Sequence, residues 1–425
     1  MNLQLSKRNR YPWHYWFFLS IPVINAIASN TTEYFSSDIL NTGNLRALLI
    51  GLFAAWFLFT RLKNESLQRF ILFYVAYYFI LVLFSTDRLT SGNLYLKFVL
   101  GVIMLPLGYY YINSIARLEL LMKILLVTLG LHILNIVIAN VFQLGTSDYL
   151  DETFYFGAGR VNITKNILIL VFMMPVTMLF IRRYRKAVMA IYIIAFLITL
   201  VGIKRSVLIS AAAGIVTYLA VKQRFTLLLR TVAAISVVLV VMMLVFPEFI
   251  SLFRSRFEAR GERVELTEET IETEGRLSET ETVFNAWKTG SFRHKLIGSE
   301  VFNDRLYFNT PRMLHTDYMI ILNGSGLIGL FLWFLFFVQI IREKNKYYRG
   351  LKNHILFREM NAVFWVLLVA QIVLSVSGTI YAIELRALIF LFWGAFLGAM
   401  RGFLKEKYSL AEGEAQANRK TDGKP

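Results

Sequence analysis

Apolar residues come in blocks along this chain. Twelve stretches, each close to the length that crosses a ~30 Å hydrocarbon core, lie near 12–29, 45–61, 69–86, 94–113, 120–142, 166–181, 187–203, 206–221, 226–247, 317–341, 361–378 and 384–402. None alternates polar and apolar residues as a half-buried strand does. Only helices satisfy so many backbone groups inside lipid without a closed sheet. The pattern predicts an all-α polytopic membrane protein with about 12 transmembrane helices. Residues 1–408 read as a single transmembrane domain, and the polar stretch 409–425 as a disordered tail.

Composition agrees: 56% of the 425 residues are hydrophobic and the mean hydropathy is +0.55. The net charge of +17 would suit nucleic acid if it were clustered, but its placement follows topology. With the N-terminus cytoplasmic, inside segments hold 27 of the 45 Lys and Arg. Lys7-Arg8-Arg10, Arg182-Arg183-Arg185-Lys186 and the run from Arg342 to Arg358 are among them. Outside segments hold 18, and 10 of those fall in one long loop. Short loops thus obey the positive-inside rule, which predicts two cytoplasmic termini and no nucleic-acid partner. Cysteine is absent, which removes disulfides, thiol catalysis and Cys-ligated metals. The N-terminus resembles a signal peptide that ends at Ala26-Ile27-Ala28, but the even helix count favours a retained first helix.

Two outside loops are long. Residues 143–165 carry Asp148, Asp151, Glu152 and Arg160, and 248–316 lie between the ninth and tenth runs. In the larger loop, Ser278-Glu279-Thr280-Glu281 fits a capping box ahead of Val283-Phe284-Trp287. Leu277, Phe284 and Trp287 share a face, so a helix over 277–289 is expected to lie on the membrane, aromatic side down. Arg256, Arg260 and Arg263 share the face of a solvated, salt-bridged helix.

Chemistry is expected on the outer side. Lys204 and Arg205 occupy an outer hairpin against the charge bias. They either snorkel to headgroups or meet a phosphate, whose oxygens match the guanidinium fork. Arg276 either pairs with Glu272 or Glu279 or serves the same anion. His315 sits at the outer interface beside Asp317 and Tyr318, where an imidazole can accept a proton at neutral pH. His14, His132 and His354 have no polar company and read as structural. The acidic residues of the first loop read as solvated rather than as metal ligands, and no glycine-rich phosphate loop or H-E-x-x-H motif occurs.

The Lys204-Arg205-Ser206 hairpin, the stretch GRLSETETVFNAWKTGSFRHKLIG (275–298) and LHTDYMIILNGSGLIGLFLWF (314–334) together resemble the O-antigen ligase and O-antigen polymerase superfamily of bacterial envelopes. Gly326-Leu327-Ile328-Gly329 supplies its Gly-hydrophobic-hydrophobic-Gly element, and Asn162 and Asn166 resemble its asparagine region. The chain departs from the pattern at Thr316-Asp317 (usually Asn-x), at Lys295 (commonly proline), and after Gly298-Ser299, where Glu300 replaces a second glycine.

The resemblance implies the C-type membrane glycosyltransferase architecture, with one large helical periplasmic loop between helices nine and ten. It implies an inverting, metal-independent transferase without a cofactor, in the bacterial inner membrane, with a periplasmic active site. The donor would be a glycan on undecaprenyl pyrophosphate. The acceptor would be another lipid-linked glycan or lipid A-core, with membrane lipid and a chain-length regulator protein as further partners. Arg205 and Arg276 would stabilise the departing diphosphate, and His315 would deprotonate the sugar hydroxyl. Lys204, Tyr318, Asp317 and Arg160 would bind substrate, although Asp317 reads equally as a helix cap. Polymerase and ligase both remain open, and the departures suit the more divergent polymerases. A transporter or flippase would carry polar groups at mid-membrane depth, whereas these runs read as apolar.

Overall fold

The computed structural model describes residues 11–31, 42–61, 65–145, 155–157, 163–201, 204–224, 226, 275–308, 314, 316–380 and 382–422. Among them, regular structure is helical, apart from one isolated bridge between Gly145 and Gly157. The helices are α1 (Trp13–Thr31), α2 (Thr42–Arg61), α3 (Ser66–Leu83), α4 (Arg88–Val102), α5 (Met104–Tyr111), α6 (Ile115–Phe142), α7 (Ile163–Phe172) and α8 (Met174–Phe180). They continue as α9 (Arg185–Val201), α10 (Arg205–Val221), α11 (Gly275–Thr289), α12 (Phe292–Ile297), α13 (Asp304–Phe308), α14 (Asp317–Tyr348), α15 (Ile355–Ser375) and α16 (Ile383–Asp422).

Six spans among the described residues are long and apolar enough to cross a membrane: α3, α4 with α5, α6, α14, α15 and the Ile383–Ser409 part of α16. A seventh forms if α7 and α8, bent by 52°, count as one. These are the helices of a membrane protein. Helices α1, α2, α9 and α10 cover further apolar runs, while 226–247 lies almost wholly outside the described residues. So do 248–274, with the Arg256/Arg260/Arg263 face, and most of 143–165. The polar stretch expected to be disordered from Ser409 instead continues α16 to Asp422.

Burial separates centre from rim. The apolar windows of Arg88–Tyr111 and Ile383–Ser409 are each 78% buried, against 33% for α3 and α6. The central pair approach closely because the contact face of α16 is a stripe of small residues. A Cβ on Gly398 would lie 2.5 Å from the Tyr109 carbonyl oxygen, and one on Gly402 would overlap Asn113. In lipid, van der Waals contact of this kind drives helix association. Trp393, Phe390, Phe336, Phe337 and Trp333 fill the space around it edge to face. Helix α1 joins the same core, with Tyr15, Phe18, Leu19 and Ile21 buried.

The helix expected over 277–289 spans Gly275–Thr289, so Ser278 falls inside its first turn rather than at the cap. It packs on α14, with Val283 wholly buried and Phe284 50% exposed. A protein surface, in place of a lipid one, takes part of its apolar side.

Candidate functional site

One end of the bundle carries the N-termini of α4, α7, α10, α14 and α16, together with α11–α13. The chain from α12 to α13 is seated in a break of α14. Gly326 (φ 62°, ψ −162°) interrupts that helix, and its missing Cβ leaves room for the Leu296–Ile297 backbone. Gly298 (φ 74°) fits reciprocally: a Cβ there would be 2.6 Å from the Asn323 carbonyl oxygen. The Ser299 N–H donates to that same oxygen at 2.8 Å, and the Trp287 indole donates to the Lys295 carbonyl at 3.2 Å. Two glycines with positive φ thus allow two backbones to meet. The stretches 275–298 and 314–334, distant in sequence, are in contact here.

Glu300, which replaces the second glycine of the family pattern, has φ 49°. This left-handed conformation is uncommon for a residue with a Cβ. Its carboxylate offsets the strain by accepting from the Ser85 and Thr86 hydroxyls at 2.7 Å each, and from the Thr86 N–H at 3.2 Å. Phe302 follows at φ 60° and stacks on Tyr78. The seated segment is therefore pinned to the α3–α4 connection as well as to α14.

His294 is buried at the head of this segment, its ring nitrogens 3.5 Å from the Ser299 and Tyr307 hydroxyls. Burial holds its imidazole below the ordinary 6.5, so the ring is neutral at physiological pH. The buried Asp304 accepts from the Leu314 N–H, which ties α13 to the residue before His315.

The α15–α16 connection, residues 376–380, is gripped from three sides. Asp317, wholly buried, accepts from the Thr379 N–H at 2.7 Å, the Ile380 N–H at 2.8 Å and the Thr379 hydroxyl. Arg386, also wholly buried, donates to the Ile380 carbonyl at 2.9 Å, within electrostatic reach of Asp317. Its guanidinium lies over the rings of Phe98, Trp333 and Phe390. Lys165 donates to the Ser377 hydroxyl at 3.2 Å and the Gly378 carbonyl at 3.3 Å. Nearby, Arg46 of α2 and Glu384 of α16 form an ion pair.

Of the sequence candidates, Asp317 takes part in this assembly. Asp317 opens α14, with Thr316 at its N-cap, and its oxygens face the 379–380 turn. The half-buried Tyr318 donates to the Ile372 carbonyl at 3.1 Å and stacks on Phe334. Lys204, half-buried, is the N-cap of α10, Arg205 is the first residue of that helix, and Arg276 is the second residue of α11. His315 and Arg160 lie outside the described residues, as does Asn162. Asn166 is buried in α7 beside Lys165. Of the histidines read as structural, His354 does have polar company, because its Nδ1 accepts from the Leu356 N–H at the start of α15.

Sequence reasoning passed over Lys165, His294, Asp304 and Arg386. The sign of Arg386 was present: a cation three residues into an apolar run needs an internal partner. Lys165, Asp304, Asp317 and Arg386 lie within the first turn or so of their helices. Among the described residues, no three His, Asp or Glu side chains are grouped to hold a metal ion. No family model matches the chain, and no curated protein matches it.

Proposed function

We propose that this protein is an inverting membrane glycosyltransferase that polymerises undecaprenyl-pyrophosphate-linked oligosaccharide repeat units into O-antigen or a capsular or exopolysaccharide. In this reading the chain crosses the inner membrane about twelve times with both termini cytoplasmic, and the end bearing α11–α13 is periplasmic. Supporting it is the seating of 296–302 in the break of α14, which holds the two stretches that carry the family resemblance against each other. Asp304 on Leu314 and Asp317 on the 379–380 turn brace the chain on both sides of His315. A general base needs such a fixed backbone, because proton transfer depends on hydrogen-bond geometry before pKa.

In the proposed step, His315 takes the proton of the attacking acceptor hydroxyl. The new glycosidic bond forms at the anomeric carbon as its bond to the pyrophosphate oxygen breaks. Arg205, Arg276 and Lys204 stabilise the undecaprenyl diphosphate that leaves. Arg160, Tyr318 and Asp317 complete the substrate-binding set, with Asp317 acting through the 379–380 turn it holds. An O-antigen ligase that transfers the glycan to lipid A-core would use the same groups.

The test is His315→Ala in a strain lacking the chromosomal copy, with the surface glycan resolved by length. A polymerase predicts glycans halted at one repeat unit on lipid A-core. A ligase predicts long lipid-linked glycans and none on lipid A-core. Wild-type glycans would refute the assignment of His315.

A further inference from the structure

At the end of the bundle away from α11–α13, a cavity of about 760 Å³ opens between α1, α2, the α5–α6 connection and α16. Four cations line it: Arg61, Arg117, Arg401 and Lys405. Arg401 is neutralised by Glu65 at 2.5 Å. Among the described residues, no carboxylate comes within ion-pair distance of Arg61, Arg117 or Lys405. Arg117 is held in place by the Tyr111 carbonyl at 3.1 Å and by the face of Tyr15 at 4.9 Å from the ring centre. Three cations around one concavity, with no described carboxylate in reach, give it a positive potential, because low-dielectric walls focus the field.

The aromatic wall is also unfinished. Tyr15 and Tyr111 are each 1% exposed and line the cavity, yet neither buried hydroxyl has a hydrogen-bond partner. The buried Nδ1 of His14, on the same wall, lacks one too. Buried polar atoms are rarely left unpaired, and here three lie behind the wall of a cationic chamber without a partner among the described residues. The chamber lies beside Trp13 and Trp16, 65% and 51% exposed, and Trp56. Exposed tryptophans at a helix end mark the headgroup level of a bilayer.

We propose that this cavity binds a phosphate group, with Arg61, Arg117 and Lys405 as its charge partners. The phosphodiester of an anionic lipid headgroup and a soluble phosphate share this chemistry. Guanidinium groups suit either, since their planar forks accept two phosphate oxygens at once. The site does not depend on the transferase reading, because it uses none of those residues and lies at the opposite end.

The experiment takes the full chain, purified in detergent and stripped of lipid, and follows thermal unfolding. The added probes are phosphatidylglycerol, phosphatidylcholine or inorganic pyrophosphate. The expected result is a saturable rise in melting temperature with phosphatidylglycerol. In R61Q/K405Q its half-saturating concentration should rise about 10- to 30-fold, as the loss of two interfacial cations implies. It should not change in R182Q/R183Q, whose cations lie at the same end but outside the cavity. Saturable protection by pyrophosphate, lost in R61Q/K405Q, would identify the source as soluble phosphate. Protection by phosphatidylglycerol alone would identify it as lipid. The proposal is overturned if no probe protects the wild type, or if the two double variants respond alike. If R61Q/K405Q does not fold, native mass spectrometry of the wild type decides. Retention of phosphatidylglycerol over phosphatidylcholine, or of pyrophosphate, supports the site, and retention of none refutes it.

Discussion

At the end bearing α11–α13, Lys165, Asp317 and Arg386 are each at most 3% exposed, and all three hold residues 377–380 of the α15–α16 connection. At the other end, Arg61, Arg117 and Lys405 surround an open cavity with no carboxylate in reach among the described residues. Both ends concentrate charge where a membrane helix meets water. A buried charge survives only if other groups replace its hydration, so the first set is consumed in holding the backbone. The second set keeps its water and remains free for an external anion. The residue type is similar at both ends, and solvent access divides their roles.

Asp317→Ala should break this contrast most severely. It removes the three hydrogen bonds that the buried carboxyl accepts from Thr379 and Ile380 and leaves those donors without a partner. A buried donor left unsatisfied costs about 1–3 kcal/mol, to be read as a lower unfolding midpoint of the purified protein. An unchanged midpoint would show that the 376–380 connection does not depend on the clamp.

Gly326→Ala should have the next largest effect, and a more local one. A φ of 62° with a ψ of −162° lies in a region open essentially only to glycine and costs a residue with a Cβ roughly 1–3 kcal/mol, and overpacking against Leu296 adds about 1–3 kcal/mol. The expected outcome is faster hydrogen exchange over 294–302, with the core of α16 and α5 still protected. Uniform loss of protection would mean that the seated segment and the bundle unfold as one unit.

A smaller effect comes from pH. Docked His294 is held neutral by burial, whereas the undocked ring titrates near 6.5. The docked segment therefore binds fewer protons, so its docking is at full strength above that value and weakens as pH falls below it. Exchange over 294–302, corrected for intrinsic chemistry, should be faster at about pH 5.5 than at about pH 7.5. His294→Gln, which retains hydrogen-bonding capacity, should remove the difference.

The smallest expected effect on folding sharpens the comparison from the other side. Because Arg61 and Lys405 neutralise no carboxylate, R61Q/K405Q without lipid should shift stability by no more than ~0.5 kcal/mol. A large loss would mean that these cations belong to the fold, as Asp317 and Arg386 do.

The periodicity of apolar residues made the helical membrane class legible, because the hydrocarbon core imposes one length and one backbone solution on every span. It also placed a helix over 277–289, where the structure has one from Gly275 to Thr289, while Gly326 stood out only through the resemblance. Tertiary structure decided what those elements do. Nothing in the local sequence says that Gly326 and Gly298 face each other, or that Glu300 keeps a glycine's conformation by gripping Ser85 and Thr86. Nor does it say that Asp317 turns inward to hold Thr379 while Arg61 and Lys405, in equally basic segments, meet no carboxylate among the described residues. Hydrophobic pattern records which residues avoid water, summed along one helix. Whether a charge is neutralised depends on groups tens or hundreds of residues away, and only the packed bundle brings those together.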